Sequence, residues 1–220
     1  MKKHVDLNAA YQPKNFEFRD SAAVSEIISR YPKGKQRSAI MPLLDLAQRQ
    51  SGEDGANAKP PFGGWISRAA MDKVAEIVDV PPIKVYEVAT FYSMYNLAPV
   101  GKFLVQMCTT TPCMLCGSGN VVKACEDYLG IHTGESTKDG LFTLVEVECL
   151  GACVNAPMVQ VNDDYYEDLT ADSVKQLLSD LATGKPVTVG SQKGRKTSMA
   201  LSGTTTLTGL ADTLGIKKAV

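Results

Sequence analysis

A change of hydrophobic period at Gly101 divides the chain into two kinds of structure. Before it, apolar residues recur every three or four positions; after it they come in short runs of strand length, two of which end on cysteine. A helical stripe and a pleated face bury different sets of positions, so the two stretches are expected to build separate packed layers. In the first stretch a helix is predicted over 21–31, with Val24, Ile27 and Ile28 at helical spacing and Pro32 and Gly34 as its stop. A second over 37–50 places Ile40, Leu43, Leu44 and Ala47 on one face. The segment 51–64, SGEDGANAKPPFGG, has no period and is read as a surface loop. Ser67 offers an N-cap to a helix reaching about Val78, and Pro81 with Pro82 opens another carrying Val85, Val88, Ala89 and Tyr92 inward.

Beyond Gly101 the pattern predicts a strand over 103–107, a helix over 120–129 and a strand over 142–148. In that strand Val145 and Val147 share a face with Cys149, and Leu144, Glu146 and Glu148 take the other. Runs at 157–161 and 165–167 flank Asn162, Asp163 and Asp164 as a hairpin would, and Thr170 caps a last helix to about Leu181. Strand, helix, strand, hairpin, helix is the order of a small thioredoxin-like α/β domain. The predicted class is therefore α+β. An N-terminal helical bundle over 1–100 is followed by a thioredoxin-like domain over 101–183 and an extended C-terminal arm over 184–220, rich in Gly, Ser, Thr and Lys.

A hydrophobic content of 44% supplies a core, and a formal net charge of −1 gives no electrostatic reason to expect nucleic acid as a partner. No apolar stretch approaches the roughly 20 residues that span a bilayer, so direct membrane insertion is not expected. The first 20 residues mix Lys2, Lys3 and Arg19 with Asp6, Glu17 and Asp20 and lack an apolar core, which is neither a secretory signal nor an organelle presequence. All six cysteines fall between Cys108 and Cys153, which argues for metal or redox chemistry over a disulfide framework.

Four of them form two close pairs, Cys108 with Cys113 (CTTTPC) and Cys149 with Cys153 (CLGAC), each at the end of a predicted strand. In a 2Fe-2S centre each iron takes two thiolates, so one pair per iron is the simplest assignment. Such a centre is anionic in both redox states. Thr109, Thr110 and Thr111 offer donors, Gly151 lets the backbone approach closely, and Pro112 and Pro157 stiffen the loops. Nearby acids, Glu146, Glu148, Asp163 and Asp164, would lower its reduction potential if they lie close. Spacing also admits other readings. Cys108, Cys113 and Cys116 reproduce the plant-type ferredoxin run, Cys113 and Cys116 form a CxxC as in dithiol oxidoreductases, and four thiolates can hold a structural zinc. Cys125, among apolar residues on a helix, reads as core, and His4 and His132 read as isolated surface residues.

The motifs CTTTPCM at 108–114, VECLGACVNAPM at 147–158 and YYEDLT at 165–170, with LLDLAQRQ at 43–50 and VYEVATFYSMYN at 85–96, closely resemble a known family. It is that of the 24 kDa-type flavoprotein subunits of respiratory NADH:ubiquinone oxidoreductase (complex I) and their bacterial counterparts. They are thioredoxin-like 2Fe-2S ferredoxins, and the likeness runs over roughly residues 12–200. It implies an electron-transfer subunit with one cluster, N1a, held by Cys108, Cys113, Cys149 and Cys153. NADH and FMN would be bound by a 51 kDa-type partner subunit, with the large iron-sulfur subunit of the peripheral arm as a further neighbour. NADH oxidation by this chain alone is not expected. The implied location is peripheral on the matrix side of the mitochondrial inner membrane, as a processed chain, or on the cytoplasmic face of a bacterial inner membrane. Related subunits serve the diaphorase modules of NAD-linked hydrogenases and formate dehydrogenases. Against most relatives, 51–64 reads as an insertion.

Overall fold

In a computed structural model of the chain, which describes residues 12–200, 202–203 and 206–213, the backbone divides into two units. One comprises the chain up to Phe103 together with Ser136–Thr143, the other Leu104–Glu135 and the chain from Leu144 onward.

The first unit is helical because its sequence supplies both period and caps. Helix α1 (Ser21–Ser29) starts where the Asp20 carboxylate accepts the Ala23 N–H at 2.8 Å. A 3-10 turn (Gln36–Ala39) leads into α2 (Ile40–Ala56), where Pro42 sits in the first turn and so removes no intrahelical donor. Ser67 caps α3 (Arg68–Val78) by accepting the Ala70 N–H at 3.1 Å, and α4 (Pro82–Phe91) opens on proline. Their apolar stripes meet in one core that includes Leu43, Leu44, Ala47, Met71, Val74, Val85 and Ala89, all at most 1% exposed.

Helix α2 overturns one expectation, since residues 51–56, predicted as loop, continue it by a turn and a half. The glycines there mark close packing rather than a break. A Cβ on Gly55 would lie 2.3 Å from the Phe62 carbonyl oxygen, and one on Gly52 would lie 3.1 Å from the Gly64 nitrogen. The extra turns are also tied from outside. The Arg19 guanidinium bridges Asp54 at 2.5 Å and Glu53 at 2.7 Å, and its backbone N–H reaches Gln50 Oε1 at 2.9 Å.

A five-stranded sheet, most of whose residues belong to the second unit, has the order β2-β1-β3-β4-β5. Its strands are β1 (Phe103–Cys108), β2 (Phe142–Val147), β3 (Val159–Val161), β4 (Asp164–Glu167) and β5 (Gly190–Ser191). Strand β3 runs antiparallel to β1, with Val105 opposite Val161 and Met107 opposite Val159. The β3–β4 hairpin turns at Asn162, which has φ +55 and whose side-chain oxygen accepts the Leu104 N–H at 2.9 Å. Strand β5, which the sequence did not announce, adds to β4 in parallel. Burial along β2 does not alternate as predicted: Phe142, Thr143 and Leu144 are all buried and Val145 and Val147 only half-buried. Between the strands run a short α5 (Thr111–Leu115), α6 (Ser118–Leu129) and α7 (Ala171–Thr183), with α6 and α7 packed on each other. Thr170 and Ser173 form a reciprocal cap at the start of α7, and Gly184 ends it in the left-handed region. A last helix, α8, spans Thr208–Thr213.

Candidate metal centre

Each cysteine pair sits where a regular element gives way to a loop. Cys108 is the last residue of β1 and Cys113 lies in the middle of α5; they are 2% and 1% exposed. With Met158 they form a small buried cluster, bordered by half-buried Leu150, Ala152, Ala156 and Tyr165. Cys149 follows β2 and is exposed, while Cys153 opens a 3-10 turn (Cys153–Asn155) and is half-exposed. The Cys149 and Cys153 sulfurs are 3.5 Å apart.

Thr110 joins the two pairs. Its hydroxyl lies 3.3 Å from the Cys108 sulfur and is also among the groups that hold the Cys149 thiol down. Burial opposes ionisation of Cys108, yet donors from the Thr110 hydroxyl, the Leu150 and Thr110 N–H groups and the Cys113 thiol hold it below the ordinary thiol value. Cys113 is pushed up to about 12, first by burial and then by donating to Cys108. Cys149 is held down chiefly by the Gly151 N–H, then by Cys153 and Thr110; Cys153 is raised by donating to Cys149 and by burial. Each pair thus contains one sulfur surrounded by donors that favour the thiolate, which is the form that binds iron.

The loop geometry explains those donors. Gly151 has φ +83 with open space where a Cβ would be, so the expected close approach is not its role; the left-handed backbone is. Leu150 gives its N–H to Cys108, and its carbonyl accepts the Tyr165 hydroxyl at 2.8 Å. Met158 gives its N–H to Cys113. Glu146 accepts the Thr109 hydroxyl at the edge of the site. Sequence reading named Thr110 and Gly151 but missed α5, Tyr165 and the Leu150 and Met158 amides. The tyrosine lay inside the YYEDLT motif, a signal without a position, whereas backbone donors leave no mark in sequence.

Among the described residues no three His, Cys, Asp or Glu side chains converge on one point as a single enclosed metal ion would require. Two pairs of thiols, two to an iron, are what a binuclear cluster takes. Cys116 is exposed at the end of α5, and Cys125 is fully buried on α6 with its thiol pushed up to about 12 by desolvation, as a core residue should be. His132 is exposed, its ring 3.7 Å from Glu126, and His4 lies outside the described residues.

The fold and the paired thiols define a class: the chain belongs to the thioredoxin-like 2Fe-2S ferredoxins, whose family model matches residues 24–182. One 2Fe-2S cluster is the cofactor of that class, and the donor set present here fits it. The chain is 49% identical over 209 residues to NADH dehydrogenase (ubiquinone) flavoprotein 2, mitochondrial, of Dictyostelium discoideum, an alignment covering 94% of this chain and 80% of that protein. It is 50% identical over 175 residues to the E subunit of NADH-quinone oxidoreductase from Rickettsia bellii (strain RML369-C), covering 80% of this chain and 98% of that one. A solved NAD+-reducing NiFe hydrogenase in its H2-reduced state shares the fold. The TM-score is 0.51 at 16% identity over 64% of this chain, which spans 23% of that hydrogenase chain.

Proposed function

We propose that Cys108, Cys113, Cys149 and Cys153 ligate the 2Fe-2S cluster, one pair to each iron. The chain is an electron-transfer subunit of an NADH:ubiquinone oxidoreductase. What supports the ligand assignment is the packing of Leu150 and Ala152, which lie between Cys149 and Cys153, on the buried cluster that contains Cys108 and Cys113. When bound, the cluster accepts and gives up single electrons. The protein's part is to bind it through the four sulfurs, to offset its negative charge with the Thr110, Leu150, Gly151 and Met158 donors, and to keep water from Cys108 and Cys113.

The chain works within an assembly. Its partners in that assembly are the subunit that binds NADH and FMN and the large iron-sulfur subunit of the peripheral arm, and its cluster is the one termed N1a. No helix among the described residues is long and apolar enough to cross a membrane, which suits a peripheral position on the matrix side of the mitochondrial inner membrane or the corresponding bacterial face. The alternative assembly is a diaphorase module of an NAD-linked hydrogenase or formate dehydrogenase, and the likeness of fold behind it is to an NAD+-reducing NiFe hydrogenase. A thiol-disulfide oxidoreductase using Cys113 and Cys116 is disfavoured, because Cys113 is 1% exposed and its thiol is held far above neutrality.

Anaerobic purification with iron and sulfide analysis and low-temperature EPR of the reduced protein tests this reading. The expected result is one 2Fe-2S signal that Cys108→Ala or Cys149→Ala abolishes and Cys116→Ser leaves in place. Zinc without acid-labile sulfide, or insulin-disulfide reduction that depends on Cys116, would overturn it.

A further inference from the structure

We propose that the segment 190–199 clamps the Cys153 loop, with Asn155, Asp168 and Arg195 as positioning residues for the metal centre. The inference rests on the reading of Cys153 as a ligand. Asn155 closes the 3-10 turn that begins at Cys153 and is 2% exposed. Its Nδ2 donates to Glu167 Oε2 at 2.7 Å and to the Thr197 carbonyl at 2.7 Å, while its backbone carbonyl accepts the Asp168 N–H at 2.8 Å. Both neighbours of Nδ2 are acceptors, so the amide can point only one way.

The anchor of this chain of bonds is a buried ion pair. Asp168, 3% exposed and held at φ +54, receives a two-pronged contact from Arg195, Nε and Nη2 each at 3.0 Å, and the Ser191 hydroxyl at 2.6 Å. The Arg195 side chain is itself only 16% exposed, and its Nη1 reaches back to the Met199 carbonyl at 3.3 Å. Strand β5 and the Gln192 N–H, 2.9 Å from the Glu167 carbonyl, attach the same segment to β4. A continuous path therefore runs from Arg195 through Asp168 and Asn155 to the turn bearing Cys153. A hydrophobic side chain at 155 would fill the space without needing partners. The amide instead leaves its Oδ1 buried with no hydrogen bond, an expense that makes sense where orientation of the turn matters.

The test uses the full-length holoprotein. Asn155→Ala and Arg195→Ala are compared with wild type, with Arg195→Lys, which keeps the charge but not the fork, and with the exposed Lys196→Ala. Bleaching of the visible cluster absorbance by an iron chelator, the EPR spectrum and thermal unfolding are measured together. Loss of one charge-assisted contact in the path should speed bleaching about tenfold and alter the EPR g-values, with Arg195→Lys intermediate and Lys196→Ala unchanged. If Arg195→Ala does not fold, Asn155→Ala, which removes no charge, decides the matter. Variants that melt earlier yet bleach at the wild-type rate with the wild-type spectrum would reduce the segment to a plain stabiliser and overturn the clamp. A wild-type protein that holds no iron or sulfide would instead overturn the ligand assignment on which it rests.

Discussion

Replacing Gly55 by alanine sets two effects of opposite sign against each other. Alanine in a helix is favoured over glycine by up to about 1 kcal/mol, so a glycine that merely interrupts α2 should be improved by the change. The structure requires the reverse. A Cβ at position 55 would stand 2.3 Å from the Phe62 carbonyl oxygen and 2.4 and 2.6 Å from two carbons of its ring. The ring can swing aside, but the carbonyl belongs to a backbone whose N–H is already bonded to the Gly55 carbonyl at 3.1 Å. An ordinary C···O contact is roughly 3.3 Å, so the segment following α2 must retreat by about 1 Å. Overpacking of this kind costs about 1–3 kcal/mol, and the strained hydrogen bond adds to it. Less the helix-propensity gain, Gly55→Ala should destabilise by about 2 kcal/mol. Urea denaturation followed by far-ultraviolet circular dichroism measures it. Gly119→Ala in α6 is the internal comparison, because nothing lies within 4 Å of its Cβ and alanine there should be neutral or stabilising. A Gly55→Ala protein as stable as wild type would mean that residues 51–64 are the open loop their composition suggests, and the packing account of α2 would be wrong.

Tyr165→Phe keeps the ring and removes only the hydroxyl that holds the Leu150 carbonyl. It should cost about 1 kcal/mol of stability and, by loosening the Leu150 N–H that faces Cys108, lower the cluster's potential by on the order of 20 mV. An unchanged potential in a redox titration would separate the tyrosine from the centre. Asp139 is held below its ordinary value of 3.8, first by the Thr137 hydroxyl and then by the Leu141 N–H. A depressed carboxylate contributes stability that is present above its unfolded value and disappears as pH falls through the folded one. Wild type should therefore exceed Asp139→Asn in urea midpoint at pH 6 and lose that advantage as the pH falls below 3.8 and through the depressed folded value. A gap independent of pH would refute the assignment.

Period and capping chemistry made most of the fold legible. Val24, Ile27, Leu43, Leu44, Met71 and Val74 announced their helices, Ser67 and Thr170 their starts, and Asn162 the hairpin. What failed was the meaning of glycine. Gly52 and Gly55 looked like punctuation because a sequence cannot say which backbone lies a few ångströms away, and tertiary packing overrode local composition. Strand β5 was invisible because a two-residue strand has no alternation to display. At the candidate metal centre the two cysteine pairs stood out by their spacing, although spacing alone also admitted groupings through Cys116. Their supporting amides did not, since every residue except proline has one and only the fold decides where it points. The Asp168–Arg195 pair joins residues far apart in the chain, and neither residue type is unusual where it stands.

The two thiol pairs do not face the same surroundings: Cys108 and Cys113 are sealed inside, whereas Cys149 stands open to solvent. Oxidants and chelators therefore meet this site from one direction only. A neighbouring protein seated over Cys149 would shield the vulnerable flank without touching the inner sulfurs, so isolation of the chain from its assembly should shorten the lifetime of its iron from that side first.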